Sequence, residues 1–254
     1  MSKNKRSPLK SKPLRNPGQS LDEQIHDLIY DYALGPLVFA VVLVLLAVLE
    51  WVKYYRSVPP APILYSFVAM PGIGYALFRF FRVKREWEAL RLGRDGEREV
   101  GQKLEALRKD GYEVFHDIIG DGFNIDHVVI GPAGIFTVET KTHRKRAGNP
   151  LVIFDGNKVL IDGLEPDRNP VVQAKAQASW LRELLSESTG HKYDVRPVIV
   201  YPGWFVDEKH PGKKTIWVIN PKRLPSFLDH EPVQLTPEDA QLASYHLSRF
   251  VRVG

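Results

Sequence analysis

The sequence predicts an α/β domain preceded by a two-helix membrane hairpin. Three observations carry this reading. The 20 residues at 33–52 hold a single ionisable side chain, Glu50. A series of short β-rich runs lies between helical patterns from about residue 97 onward. Polar residues then interrupt two of those runs, at Asp126, Glu139 and Lys141.

At 254 residues the chain has room for one ordinary domain and an appendage. It contains no cysteine. That excludes a disulfide framework, a thiolate nucleophile and a cysteine zinc cluster, and it fits a reducing compartment. The histidines are scattered rather than paired at ligand spacing. A formal charge of +5 invites a nucleic-acid reading, but residues 1–94 carry 14 Lys and Arg against 7 Asp and Glu, whereas 95–254 carry 21 against 23. The excess positive charge surrounds the apolar segments, where membrane orientation accounts for it.

Segment 33–52 has the length of a span, because about 20 residues rising about 1.5 Å each cover a hydrocarbon core of roughly 30 Å. A cleaved signal peptide fits less well: the segment is long, a long tail precedes it, and no small-x-small site follows. The second stretch, 61–81, is broken by Met70-Pro71-Gly72-Ile73-Gly74, so a kinked span competes with a re-entrant or interfacial segment. Neither stretch shows a polar face, which disfavours a buried helix pair. Trp51, Tyr54 and Tyr55 sit where an interfacial aromatic belt belongs. Lys3, Lys5, Arg6, Lys10, Lys12 and Arg15 precede the spans, Arg79, Arg82, Lys84 and Arg85 follow them, and only Lys53 and Arg56 lie between. Both ends are therefore expected in the cytoplasm, with the lipid bilayer as a partner. The basic tail through Gln19 is expected to be disordered, either as a topology signal alone or also as a contact for anionic lipid.

Gly93-Arg94-Asp95-Gly96 is expected to end the juxtamembrane helix. This divides the chain into a basic tail (1–32), the hairpin with its juxtamembrane helix (33–94), a soluble domain (95–218) and a C-terminal helical extension (219–254). Val100, Leu104 and Leu107 recur at helical spacing, with Glu97 on the same stripe. Strands are predicted at 112–117, 123–130 and 135–141, the last two as a hairpin, and a second hairpin at 151–155 and 158–162 around Asp155-Gly156-Asn157. Asn169-Pro170 opens a helix reaching residue 185, as N-cap and first helical position. A buried strand follows at 195–201 and a further one at 215–219, and Thr236-Pro237-Glu238-Asp239 opens the last helix.

A strand inside an α/β sheet should read apolar on both faces, so Asp126, Glu139 and Lys141 stand out. With a period of two, Glu139 and Lys141 point to one side and Phe136 and Val138 to the other, and a tight hairpin brings Asp126 beside them. Close carboxylates repel, so the pair needs a cation, a shared proton or solvent. Oxygen ligands favour Mg²⁺ or Mn²⁺, which keep several waters and take substrate phosphate as a further ligand. The ammonium of Lys141 is suited to positioning a nucleophile or stabilising charge on phosphorus. Metal-assisted phosphodiester hydrolysis is the chemistry such a set performs. A Glu-x-Lys alone is common on exposed strands; its conjunction with the other features is what counts.

Those features resemble the nuclease-related (NERD) domain, thought to belong to the PD-(D/E)XK nuclease superfamily. They are Gly96-Glu97, Asn124-Ile125-Asp126-His127 with Gly131-Pro132 and Gly134, Val138-Glu139-Thr140-Lys141, and Asn169-Pro170 with Gln173. The resemblance covers residues 95–201. It implies a core of helix, three strands, helix and strand, with Asp126 and Glu139 as ligands of Mg²⁺ or Mn²⁺, the backbone carbonyl of Thr140 completing the set, Lys141 as catalytic lysine, and Glu97 and Gln173 as supporting polar residues. Ile125 replaces the proline of the superfamily name, and Thr142 stands where asparagine is expected, which bears on how the lysine is positioned.

Arg144, Lys145 and Arg146 form a basic cluster that either holds a nucleic-acid backbone or is a solvated loop. His127 is expected to face away from Asp126 as a packed or exposed residue. Gly212-Lys213 does not complete a phosphate-binding loop, which would need glycine at Asp207 and Ser or Thr at Lys214. The expected function is that of a membrane-anchored nuclease, on DNA rather than RNA. Its rivals are a silent module that binds nucleic acid or protein, and a membrane scaffold.

Overall fold

The computed structural model describes residues 14–56, 58–59, 61–144, 151–208 and 215–253. Lys145 and Arg146 of the basic cluster, the basic residues before Leu14, and Gly212, Lys213 and Lys214 lie outside the described residues. The chain divides into two compact units, one made of Ser20–Leu92 and one that joins the N-terminal stretch through Gln19 to Gly93–Gly254.

The first unit is helical. Helix α1 (Gln19–Asp27) passes through a π-helical stretch (Leu28–Leu34) into α2 (Gly35–Tyr55), and α3 begins at Pro62. Two helical runs, Gln19–Tyr55 and Pro62–Asp110, are long and apolar enough to cross a membrane. Their large side chains face outward, with Ile63 and Phe67 each 73% exposed. The helices meet closely at Gly72, where a Cβ would lie 2.2 Å from Leu43 Cδ1. Glu50, the lone acid of α2, accepts from Lys53 Nζ at 2.7 Å and from the Ala61 amide at 3.0 Å, so it holds the turn between the helices.

Helix α3 (Pro62–Glu105) corrects the expected break at Gly93-Arg94-Asp95-Gly96, and it also carries Pro71 within its length. Here the turn signal of two nearby glycines is overridden. Gly96 is in close contact, since a Cβ there would meet Thr142 Cγ2 at 2.0 Å. A 3₁₀ turn (Ala106–Asp110) follows, ended by Gly111 in the left-handed conformation.

The second unit is built on a five-stranded sheet in the order β1-β2-β3-β6-β8. Strands β1 (Glu113–Ile119), β2 (Asn124–Gly131) and β3 (Gly134–Thr140) are antiparallel, and β6 (Val195–Val200) and β8 (Trp217–Ile219) run parallel to β3. Helix α4 (Pro170–Thr189) connects β3 to β6 in the main sheet, capped by Asn169 Oδ1 accepting from the Val171 amide. The expected second hairpin, β4 (Leu151–Phe154) and β5 (Val159–Ile161), forms in a separate three-stranded sheet with β7 (Phe205–Glu208), a strand the sequence reading did not place. Short α5 (Leu224–Asp229) precedes α6 (Pro237–Val253), whose first turn is fixed by Thr236 Oγ1 accepting from the Asp239 amide.

Apolar layers cover both faces of the main sheet. One gathers Val100, Leu104, Phe136, Val138 and Trp217, the other Ile118, Ile125, Val128, Leu181, Leu185 and Leu247. The polar site lies where this packing is interrupted.

Candidate functional site

The hairpin register pairs His127 with Val138, so one step further it sets Asp126 opposite Glu139. Lys141 stands just past β3, where its amide donates to the Val200 carbonyl and extends the parallel ladder. Helix α4 presents Gln173 and Gln177, one turn apart and so on one face.

Glu139 is the hub and is 3% exposed. Its Oε1 accepts from Lys141 Nζ at 2.7 Å and from Gln173 Nε2 at 2.7 Å, and its Oε2 accepts from Gln177 Nε2 at 2.6 Å. Lys141 Nζ also donates to Gln173 Oε1 at 2.9 Å. Asp126 is held differently, by the Thr140 amide donating to its Oδ2 at 2.7 Å. Thus Asp126, Glu139, Thr140, Lys141 and Gln173 come together, and Gln177 joins them unforeseen.

Electrostatics separate the acids. Burial, then the charges of Glu139 and Glu97, push the Asp126 carboxyl well above the usual range, against the pull of the Thr140 amide and Lys141. Glu97, on α3, is pushed up to about 8 by burial and then by Asp117 and Glu139, with the Gly18 amide and Lys141 opposing. Without a cation, Asp126 and Glu97 are therefore drawn toward their protonated forms.

Among the described residues, no three His, Cys, Asp or Glu side chains form a metal-ligand group by themselves. The donors still suit one hard divalent cation, since Mg²⁺ uses one or two carboxylates and keeps several waters. Two buried polar atoms near Glu139 point the same way: Gln177 Oε1 and the Tyr201 hydroxyl find no hydrogen-bond partner among the described residues. Such groups call for water or a ligand. Glu139 would reach a cation by giving up one of its three side-chain bonds.

Other expected residues fall outside this knot. Arg144 is exposed, three residues beyond Lys141. His127 is fully buried on the opposite face, its Nδ1 2.9 Å from that of His116. His143, which the sequence did not single out, stacks on Tyr201 with ring centres 6.1 Å apart and is turned edge-on to Trp204. Thr142, at the position where asparagine is expected, packs against Gly96.

No curated protein matches the chain. A solved structure, the crystal structure of protein VC1899 from Vibrio cholerae, is similar at 14% identity with a TM-score of 0.27, covering 91% of this chain and 58% of that one. The chain thus spans less than two thirds of that protein's length. Residues 92–202, which carry Glu97, Asp126, Glu139, Lys141, Gln173 and Gln177, match the family model NERD, the nuclease-related domain.

Proposed function

We propose that this chain is a membrane-anchored, metal-dependent nuclease acting on DNA in preference to RNA. The observation that carries the reading is the junction of Lys141 Nζ with Glu139 and Gln173, beside an Asp126 whose carboxyl is crowded by other acids. Asp126 and Glu139, with the Thr140 carbonyl, would hold Mg²⁺ or Mn²⁺. Such an ion, when bound, supplies Lewis-acid polarisation of the scissile phosphate. Lys141 orients the attacking water and offsets charge on the phosphoryl oxygens, while Gln173 fixes the lysine's direction. Arg144, with Lys145 and Arg146, would follow the phosphate backbone. The anchor is supported by two helical runs long and apolar enough to cross a membrane, and the cytoplasmic siting of both chain ends by the excess of Lys and Arg flanking them.

The full set of bonds on Glu139 favours a second reading, a module that binds nucleic acid without cutting it. One experiment separates the two: the full chain in detergent micelles is incubated with labelled single- and double-stranded DNA and RNA, with and without Mg²⁺. Metal-dependent cutting is expected, and Lys141→Met should lower turnover by about 100-fold while Mn²⁺ affinity stays within about threefold. Retention of substrate without cutting would leave the binding module standing. Equal loss of metal binding in Lys141→Met would make the lysine a structural ion-pair partner. Reporter fusions at the two ends should both give cytoplasmic signals, and an external C-terminus would overturn the topology.

A further inference from the structure

The acids of the site differ in what holds them. Asp126 and Glu139 are held by β3, the residue after it, and α4. Asp117 and Glu97 are held by residues 14–18: Arg15 Nε donates to Asp117 Oδ2 at 2.7 Å, and the Gly18 amide donates to Glu97. This strap precedes α1 and packs tightly, since a Cβ on Gly101 would lie 2.5 Å from Pro17 Cγ. It lies outside the segment that matches the nuclease-related family.

Asp117 shows what the strap does. In the β1–β2 register His116 faces His127 and Ile118 faces Ile125, so by count Asp117 belongs opposite Asp126. Asp126 in turn belongs opposite Glu139. A regular ladder would therefore set three carboxylates side by side across three strands. Instead Asp117 adopts a φ of 50°, a left-handed conformation that is strained for a non-glycine residue. Its carboxylate, 1% exposed, meets the Arg15 guanidinium. A buried carboxylate needs a hydrogen-bonded counter-charge, and the one supplied here comes from 102 residues away in sequence.

We propose that Arg15 is a positioning residue: it holds Asp117 out of the carboxylate row, so that two acids and not three face the cation and the substrate phosphate. The inference rests on the metal-dependent reading above. Without Arg15 the backbone at Asp117 relaxes to the extended form and its carboxylate joins Asp126 and Glu139. A third acid tightens cation binding, yet it fills a coordination place that water and phosphate need. Charge also accumulates where the phosphate must approach.

The test uses the full chain in detergent micelles, with Mn²⁺ as the probe and the free ion counted by electron paramagnetic resonance, alongside melting temperature and cleavage. Arg15→Gln is expected to bind Mn²⁺ about tenfold more tightly and to turn over DNA about tenfold more slowly, with KM within about threefold. Arg15→Gln combined with Asp117→Asn should return both quantities to within about threefold of wild type, because no charge remains to be held out of the row. A folded Arg15→Gln with unchanged Mn²⁺ affinity overturns the proposal, and so does a double variant as altered as the single one. Should Arg15→Gln fail to fold, wild-type Mn²⁺ affinity in the double variant supports the assignment and altered affinity overturns it. Tighter Mn²⁺ binding in Arg15→Gln, in a protein that cuts nothing, overturns the nuclease reading alone. No Mn²⁺ binding by wild type overturns both.

Discussion

Asp126 and His127 are neighbours on β2, yet they face opposite sides of the sheet and live under opposite rules. On one face Asp126, Glu139, Lys141 and two glutamines form a charged knot, with Glu97 of α3 within electrostatic reach, and burial among like charges pushes Asp126 and Glu97 toward holding protons. On the other, His127 meets His116 Nδ1 to Nδ1, and His116 Nε2 reaches Glu105 Oε1 at 2.8 Å. Burial lowers the proton affinity of both rings, well below the usual value for His127. If His116 donates to Glu105, its Nδ1 accepts from His127, which leaves His127 Nε2 as a buried acceptor without a partner among the described residues. Desolvation drives both faces toward neutral groups. The histidine face reaches neutrality by losing protons, whereas the carboxylate face reaches it by holding protons that a bound cation would displace.

The largest effect should come from removing the hub. Glu139→Ala leaves Lys141 and the amides of Gln173 and Gln177 without their acceptor, and should destabilise the domain by about 3 kcal/mol. A loss below about 1 kcal/mol in thermal melting would mean that the knot is solvated and that its contrast with the histidine face is overstated.

An intermediate effect separates the two faces by pH. Glu97, raised to about 8, contributes stability that is present in full below about 4.5 and is lost as pH rises through about 8. The histidines, with lowered values, contribute stability that is present above about 6.5 and is lost as pH falls through their folded-state values. Melting temperature of the metal-free chain should therefore fall on both sides of a maximum. Glu97→Gln should flatten the alkaline fall and His127→Leu the acid one. If either substitution flattens the opposite limb, the assignment of faces is wrong.

The smallest effect is expected at Asp126. Asp126→Asn keeps an acceptor for the Thr140 amide and removes a repelled charge, so the metal-free chain should melt within about 0.5 kcal/mol of wild type or slightly higher. Mg²⁺ should raise the melting temperature of wild type and not of the variant. Marked destabilisation, with no Mg²⁺ effect in wild type, would make Asp126 a structural carboxylate like Asp117.

The strands and their polar interruptions were legible because alternation and β-branched runs are local signals. Asp126, Glu139 and Lys141 could be singled out from the sequence for that reason, Gln173 entered through the family resemblance, and Gln177 was within reach as the residue one helical turn beyond it. Arg15 and Asp117 were not, since an ion pair across 102 residues leaves no local trace and a left-handed aspartate has no turn signature around it. The tail through Gln19 was expected to be disordered, but its described residues 14–18 are tied down by that pair and by the Gly18 amide. Strand β7 was missed because Phe205–Glu208 is short and follows Pro202-Gly203. The uninterrupted helix through Gly93 and Gly96 reverses a local preference, as packing often does.

The division of the second unit also constrains crossing parity. Arg15 lies before both apolar runs and Asp117 after them, yet they share an ion pair inside one compact unit. A chain that leaves this unit and returns to it must cross any membrane an even number of times. Were the first run to cross a membrane, the chain would have to return to the same side before Asp117 could meet Arg15. The ion pair makes the apolar segments an excursion that leaves one compact unit and returns to it.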